Sequence, residues 1–265
     1  MVKKLFKHEY FALLRLVVPV WCALLCVSVF GRLVLLLEND TIVYKIVNGS
    51  SILFYVVALL ACIASPFVFA VVRFYRNLFS GEGYLMFTLP VTPAQHLWVK
   101  LTVAVTTQIA TLLLAVSSLF VLTFGDLGWE IGKAAWYLLS KLAENFDGHM
   151  PFLIVEAAVS LVAMFTYMTL LYYGCICIGQ LSKKNRILAA IGAYFGFYII
   201  GQVWSTMLMI VFAFVDFSKL SLWISQHTLA TAHIVLCSNT LQYLVLAAVF
   251  YFISHYIIRH RLNLE

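Results

Sequence analysis

Long apolar runs, broken by short polar stretches, dominate this chain. Six of them reach the roughly 20 residues that cross a bilayer as a helix: about 16–37, 51–72, 97–124, 151–178, 187–215 and 234–258. The third, fourth and fifth exceed what the hydrocarbon needs, so tilting, kinking or projection beyond it is expected. The pattern predicts an all-α polytopic membrane protein, with residues 1–265 forming a single transmembrane domain.

The connectors carry patterns of their own. Lys3 to Leu14 puts Phe6, Tyr10, Leu13 and Leu14 on one face and lysines beside them. That suits a short amphipathic helix on the membrane surface, or a plain extension of the first span. Pro19 and Trp21 mark the entry to that span. Between the third and fourth spans, Leu127, Ile131, Ala134, Ala135, Leu138, Leu139 and Leu142 recur at helical spacing, with Trp129 and Trp136 as interface anchors. This predicts an amphipathic helix on the outer surface. Asp216 to His233 repeats the theme or dips back as a re-entrant helix.

Two local signals are sharper. Thr92-Pro93-Ala94-Gln95 reads as a helix start, with Thr92 as N-cap, Pro93 at the first position and Gln95 reaching back. Ser65-Pro66 in the second span predicts a kink, with the serine hydroxyl satisfying the carbonyl that proline leaves without a donor.

Composition excludes a soluble domain. The chain is 64% hydrophobic and 11% charged, whereas soluble domains carry about a quarter charged residues. Charge then orients it. Lys3, Lys4, Lys7, Arg15, Arg73, Arg76, Lys100, Lys183, Lys184, Arg186, Arg259 and Arg261 fall on one side, against Lys45, Lys133, Lys141 and Lys219 on the other. The positive-inside rule puts both termini in the cytoplasm. The net charge of +6 is thus a bias of the cytoplasmic face toward membrane lipid, and nucleic acid is not expected as a partner.

Catalytic motifs are absent. Gly128 to Ala134 superficially resembles a phosphate loop but is one residue short, lacks the Ser/Thr after Lys133 and falls outside. No HExxH, nucleophile elbow or dinucleotide fingerprint occurs. The histidines are scattered, and His227 and His233 are too far apart for one helical turn, so no metal site is expected. Cys22, Cys26, Cys62, Cys175, Cys177 and Cys237 all fall in or at the edges of spans and read as packing thiols. The first span is too long for a signal peptide and lacks its cleavage pattern. The chain is not expected to be an enzyme.

Two charges fall inside spans. Arg32 and Glu156 each lie about 8 Å below an outer span end. A lone charge there is costly, so either they pair, joining the first span to the fourth, or each snorkels separately. Gly192, Gly196 and Gly201 in the fifth span allow close backbone approach, as a dimer seam or within the chain.

The segment Arg73–Lys100 is basic at both ends, turn-rich and studded with aromatics. Tyr84, Leu85, Met86, Phe87 and Leu89 form an apolar cluster beside Glu82. Such a cluster ringed by charge marks a contact surface, or else lies in the bilayer interface or against the chain's own helix ends.

Two stretches carry a resemblance. KLFKHEYFALLRLVVPV, with Lys7-His8-Glu9, and GEGYLMFTLPVTPAQHLWVKL, with Leu89-Pro90-Val91-Thr92 and then Lys100, are similar to the membrane permeases of type-2 ATP-binding cassette (ABC) exporters, particularly those of Gram-positive bacteria. The resemblance implies a plasma-membrane permease that dimerises with a second copy or a paralogue. It also implies that a separate cytoplasmic ATPase holds ATP and Mg, this chain binding no cofactor. The loop over about 73–96 would then hold the coupling helix, with Glu82, Tyr84, Met86, Phe87 and Leu89 docking the ATPase and Arg73 and Arg76 flanking them. Spans two and five would line the path, placing Ser65, Pro66, Tyr194, Gln202 and Ser205 near cargo. Family membership does not name the cargo. The other reading from the residues is a non-transporting scaffold or sensor that recruits cytoplasmic partners through the same loop.

Overall fold

A computed structural model describes residues 2–37, 41–79, 92–146, 148–182, 185–213 and 217–260. Its elements are helices: α1 Val2–Leu36, α2 Ile42–Phe79, α3 Pro93–Thr123, α4 Asp126–Asn145, α5 Met150–Gly179, α6 Arg186–Ala213, α7 Phe217–Gln226 and α8 Thr228–His260. Among the described residues, six helices (α1, α2, α3, α5, α6 and α8) are long and apolar enough to cross a membrane. They coincide with the six runs read from the sequence. At about 1.5 Å per residue, the 38 residues of α2 extend well past the roughly 30 Å of a hydrocarbon core.

α1 runs unbroken from Val2 through Pro19 to Leu36. The amino-terminal segment therefore continues the first span and is not a separate surface helix. The residue that decides this is Glu9, which shares a buried stripe with Leu13, Val17 and Leu24. A segment lying flat on lipid would have left that stripe without protein to pack on.

Contacts divide the chain into two compact units. The first holds α1, α2, α3 and α4 as far as Leu139; the second, from Ser140, holds α5 to α8. In the first unit, Leu13 and Val17 of α1 pack with Val99 and Val103 of α3. Further along, Leu24 meets Tyr55 and Cys62 of α2. Hydrogen bonds between side chains reinforce this packing, Trp21 Nε1 donating to Thr111 Oγ1 at 3.0 Å and the Tyr55 hydroxyl meeting Ser118 Oγ at 2.9 Å. Trp21 is thus turned onto α3 and is more than an interface marker.

α3 starts where its signals predict. Gln95 N donates to Thr92 Oγ1, Thr92 N donates to Gln95 Oε1 at 3.1 Å, and Pro93 occupies the first turn. Within α2, Ser65 Oγ donates to the Cys62 carbonyl at 2.9 Å. That carbonyl lies four residues before Pro66 and has lost its ordinary donor to the proline ring.

In the second unit α5 is central, packing on both α6 and α8. At Gly174 the ring of Phe250 lies where a Cβ would stand. Tyr167 stacks on Tyr243 at 5.9 Å between ring centroids. Cys175 and Cys177 are buried packing residues, as is Cys62 in the first unit, whereas Cys22, Cys26 and Cys237 are exposed. α4 forms as the spacing predicts, with Trp129, Ile131, Trp136, Tyr137 and Leu138 exposed. α7 and α8 divide the stretch read as a second surface or re-entrant helix, meeting at His227.

Candidate functional site

One buried carboxylate organises the end of the first unit that carries the amino terminus. Glu9 is 2% exposed. Its Oε1 accepts from Lys100 Nζ at 2.7 Å and from Asn77 Nδ2 at 3.2 Å, and its Oε2 accepts from Arg73 Nε at 2.7 Å. The donors come from two other helices, Arg73 and Asn77 from the end of α2 and Lys100 from the second turn of α3.

Local sequence explains the placement. Glu9 lies one turn before Leu13 on the stripe that faces α3, so helix formation alone drives its carboxyl into the bundle. Lys100 follows Val99 and precedes Val103, which belong to the same apolar seam. An isolated charge there would be costly, and mutual pairing with extra hydrogen bonds offsets that cost. Two cations share one carboxylate, leaving the cluster net positive.

Beside the cluster lies a cavity of about 700 Å³ between α1 and α2. Arg73 and Asn77 belong both to its wall and to the Glu9 cluster, and Lys4, Lys7, Arg15 and Arg76 add further positive charge. Among the described residues, no carboxylate lines it.

The residues expected at a site are distributed as follows. Arg73 is turned inward on Glu9, an anchor as well as a flank of the loop, while Arg76 is exposed at the cavity. Glu82, Tyr84, Met86, Phe87 and Leu89 lie outside the described residues. Ser65 and Pro66 are buried in the first unit. Tyr194 stacks on Tyr172, with centroids 5.7 Å apart, and Gln202 and Ser205 are exposed along α6. A Cβ built on Gly192, Gly196 or Gly201 meets no described atom within 4 Å. The glycines that admit close neighbours within the chain are others, such as Gly31 beneath Leu122.

Arg32 and Glu156 belong to different units, and each has a neighbour in its own. Arg32 reaches the turn between α3 and α4, its guanidinium occupying the place a side chain on Gly125 would need. The Glu156 carboxylate meets His233 Nδ1 at 2.8 Å, joining α5 to α8. His149 stands edge-on to the same imidazole, 6.4 Å between centroids. Among the described residues, no three His, Cys, Asp or Glu side chains are gathered to hold a metal.

The sequence reading passed over two of these relationships. It takes Glu9 as a motif position without asking what its place on an apolar stripe demands. His233 was weighed only against His227, and only the earlier start of α8 at Thr228 places it near the beginning of its helix as Glu156 is near the beginning of α5. Comparison with family models, curated proteins and solved structures finds no match to the chain.

Proposed function

We propose that this chain is the membrane-spanning subunit of an ATP-driven exporter, supplying the path and the coupling surface while a separate cytoplasmic ATPase supplies the energy. Both termini and the segment between α2 and α3 face the cytoplasm of a cell whose plasma membrane the chain crosses, with α4 on the outer surface. The subunit works as a pair with a second copy or a paralogue. The resemblance rests on two sequence elements, Lys7-His8-Glu9 and the leucine-proline-valine-threonine run followed by Lys100. The observation that supports the reading is that these elements, remote in sequence, meet in one ion pair at Glu9 and Lys100.

That meeting has a mechanical consequence. Residues 80–91 connect the end of α2 to the start of α3, and Glu9 holds α1 to both helices close to that connection. A displacement imposed on the segment is therefore shared by three helices and not absorbed by one. ATP binding by the partner shifts the transporter between two states only if the partner contacts them unequally. The segment with Glu82, Tyr84, Met86, Phe87 and Leu89 is the surface where such a difference is felt.

Affinity capture from native membranes tests the proposal. A co-purifying ATPase is the expected result; its absence favours the scaffold or sensor. Phe87→Asp should then release the ATPase and abolish cargo-stimulated hydrolysis without altering the melting temperature. Retention of both activities in that variant rules out the docking assignment.

A further inference from the structure

The cavity between α1 and α2 is graded along its length. Because Glu9 meets Arg73 and Asn77 while Leu24 meets Tyr55, the two helices run antiparallel. Lys4 and Lys7 of α1 therefore share one end of the cavity with Arg76 of α2. Phe11, Leu16 and Val72 line the other end, toward the apolar middle of the helices. Arg15 is the cation placed deepest, on a stem long enough to reach back toward the charged end.

We infer that this cavity is a binding site for an anionic membrane phospholipid. Its phosphate sits between Lys4 and Lys7, and its glycerol and first acyl carbons lie along Phe11, Leu16 and Val72. The charge is complementary, since the ionised side chains lining the wall are cationic among the described residues and the nearby Glu9 is engaged by Lys100 and Arg73. The apolar end favours a lipid over a free phosphate, which would use only the cationic end. The size agrees too: about 700 Å³ falls within the roughly 300–1,000 Å³ of ordinary ligand sites. A zwitterionic lipid carries a cation that these residues repel, so selection by headgroup charge follows. Through Arg73 the lipid would touch the same cluster that holds α1 to α2 and α3. The inference is independent of the exporter reading and stands or falls without an ATPase.

The test uses the purified full chain in mixed micelles, measuring retained lipid by native mass spectrometry with phosphatidylglycerol and phosphatidylcholine in competition. The parent should retain phosphatidylglycerol about tenfold over phosphatidylcholine, from a few charges each contributing modestly near a lipid phosphate. Lys4→Glu combined with Lys7→Glu, both exposed positions, should remove the preference. Val72→Trp should fill the apolar end and cut retention about tenfold with all charges unchanged. Full retention by Val72→Trp means that diffuse surface charge holds the lipid, and overturns the site. Equal retention of the two lipids by the parent overturns it as well. Displacement of phosphatidylglycerol by inorganic phosphate at comparable concentration identifies a phosphate site and overturns the lipid assignment.

Discussion

The ammonium of Lys100 lies 2.7 Å from Oε1 of Glu9, across 91 positions of sequence. Both side chains are almost wholly buried. The carboxylate is the hub, because Arg73 and Asn77 use it too. Glu9→Gln should therefore cost more than Lys100→Gln, which leaves Glu9 two donors. Removing one member of a buried pair costs about 3–5 kcal/mol. Glu9→Gln should approach that range in thermal melting of the detergent-solubilised chain, and the loss should persist in high salt, which screens buried pairs weakly. Equal melting of both variants with the parent would show that the cluster contributes nothing to holding α1 in place.

A second prediction concerns α2. The Ser65 hydroxyl serves the Cys62 carbonyl because Pro66 cannot. Ser65→Ala should cost about 1 kcal/mol, the net worth of an ordinary hydrogen bond. In a Pro66→Ala background the backbone N–H returns, so the same change should cost little. Melting of the four proteins of this cycle measures the coupling directly. Additive effects would mean that the hydroxyl and the missing N–H are unrelated.

These two cases mark what the sequence made legible. The six spans, the Thr92 cap and the pairing of Ser65 with the carbonyl freed by Pro66 were readable because each depends on residues within a turn or on the length of an apolar run. The Glu9 cluster was not readable in full, because it depends on which helices lie side by side. Periodicity fixes the face that Glu9 occupies but not the helix it meets. The same limit leaves pairing and separate snorkelling of Arg32 and Glu156 both open from the sequence, whereas the neighbours that each has within its own unit are Gly125 and His233. Depth alone pairs charges across any two helices, and only packing chooses between them.

Gly125 offers a third test. Its φ of +113° is one that L side chains rarely adopt, and Arg32 fills the space a Cβ would need. Gly125→Ala should cost on the order of 1–3 kcal/mol from the backbone alone. Adding Arg32→Ala should relieve the steric share and leave the conformational share. Full recovery in the double variant would place the whole cost in the clash; no recovery would show that Arg32 yields freely.

The contact of His233 with Glu156 supplies the last prediction. The imidazole meets both carboxylate oxygens at 2.8 Å and joins α5 to α8 where each side chain is partly buried. His233→Leu takes away this donor and leaves the partly buried carboxylate without it. The expected loss is about 1–3 kcal/mol, the penalty for a polar group deprived of its partner. Glu156→Gln in the His233→Leu background should recover most of it, because a neutral amide is cheaper to leave in that setting than a carboxylate. His233→Gln should be milder than His233→Leu, since its amide can still donate to Glu156. Melting of the three variants beside the parent decides the matter. If Glu156→Gln gives no rescue, the cost of His233→Leu arises from lost packing, and the contact with the carboxylate does not hold the two helices together.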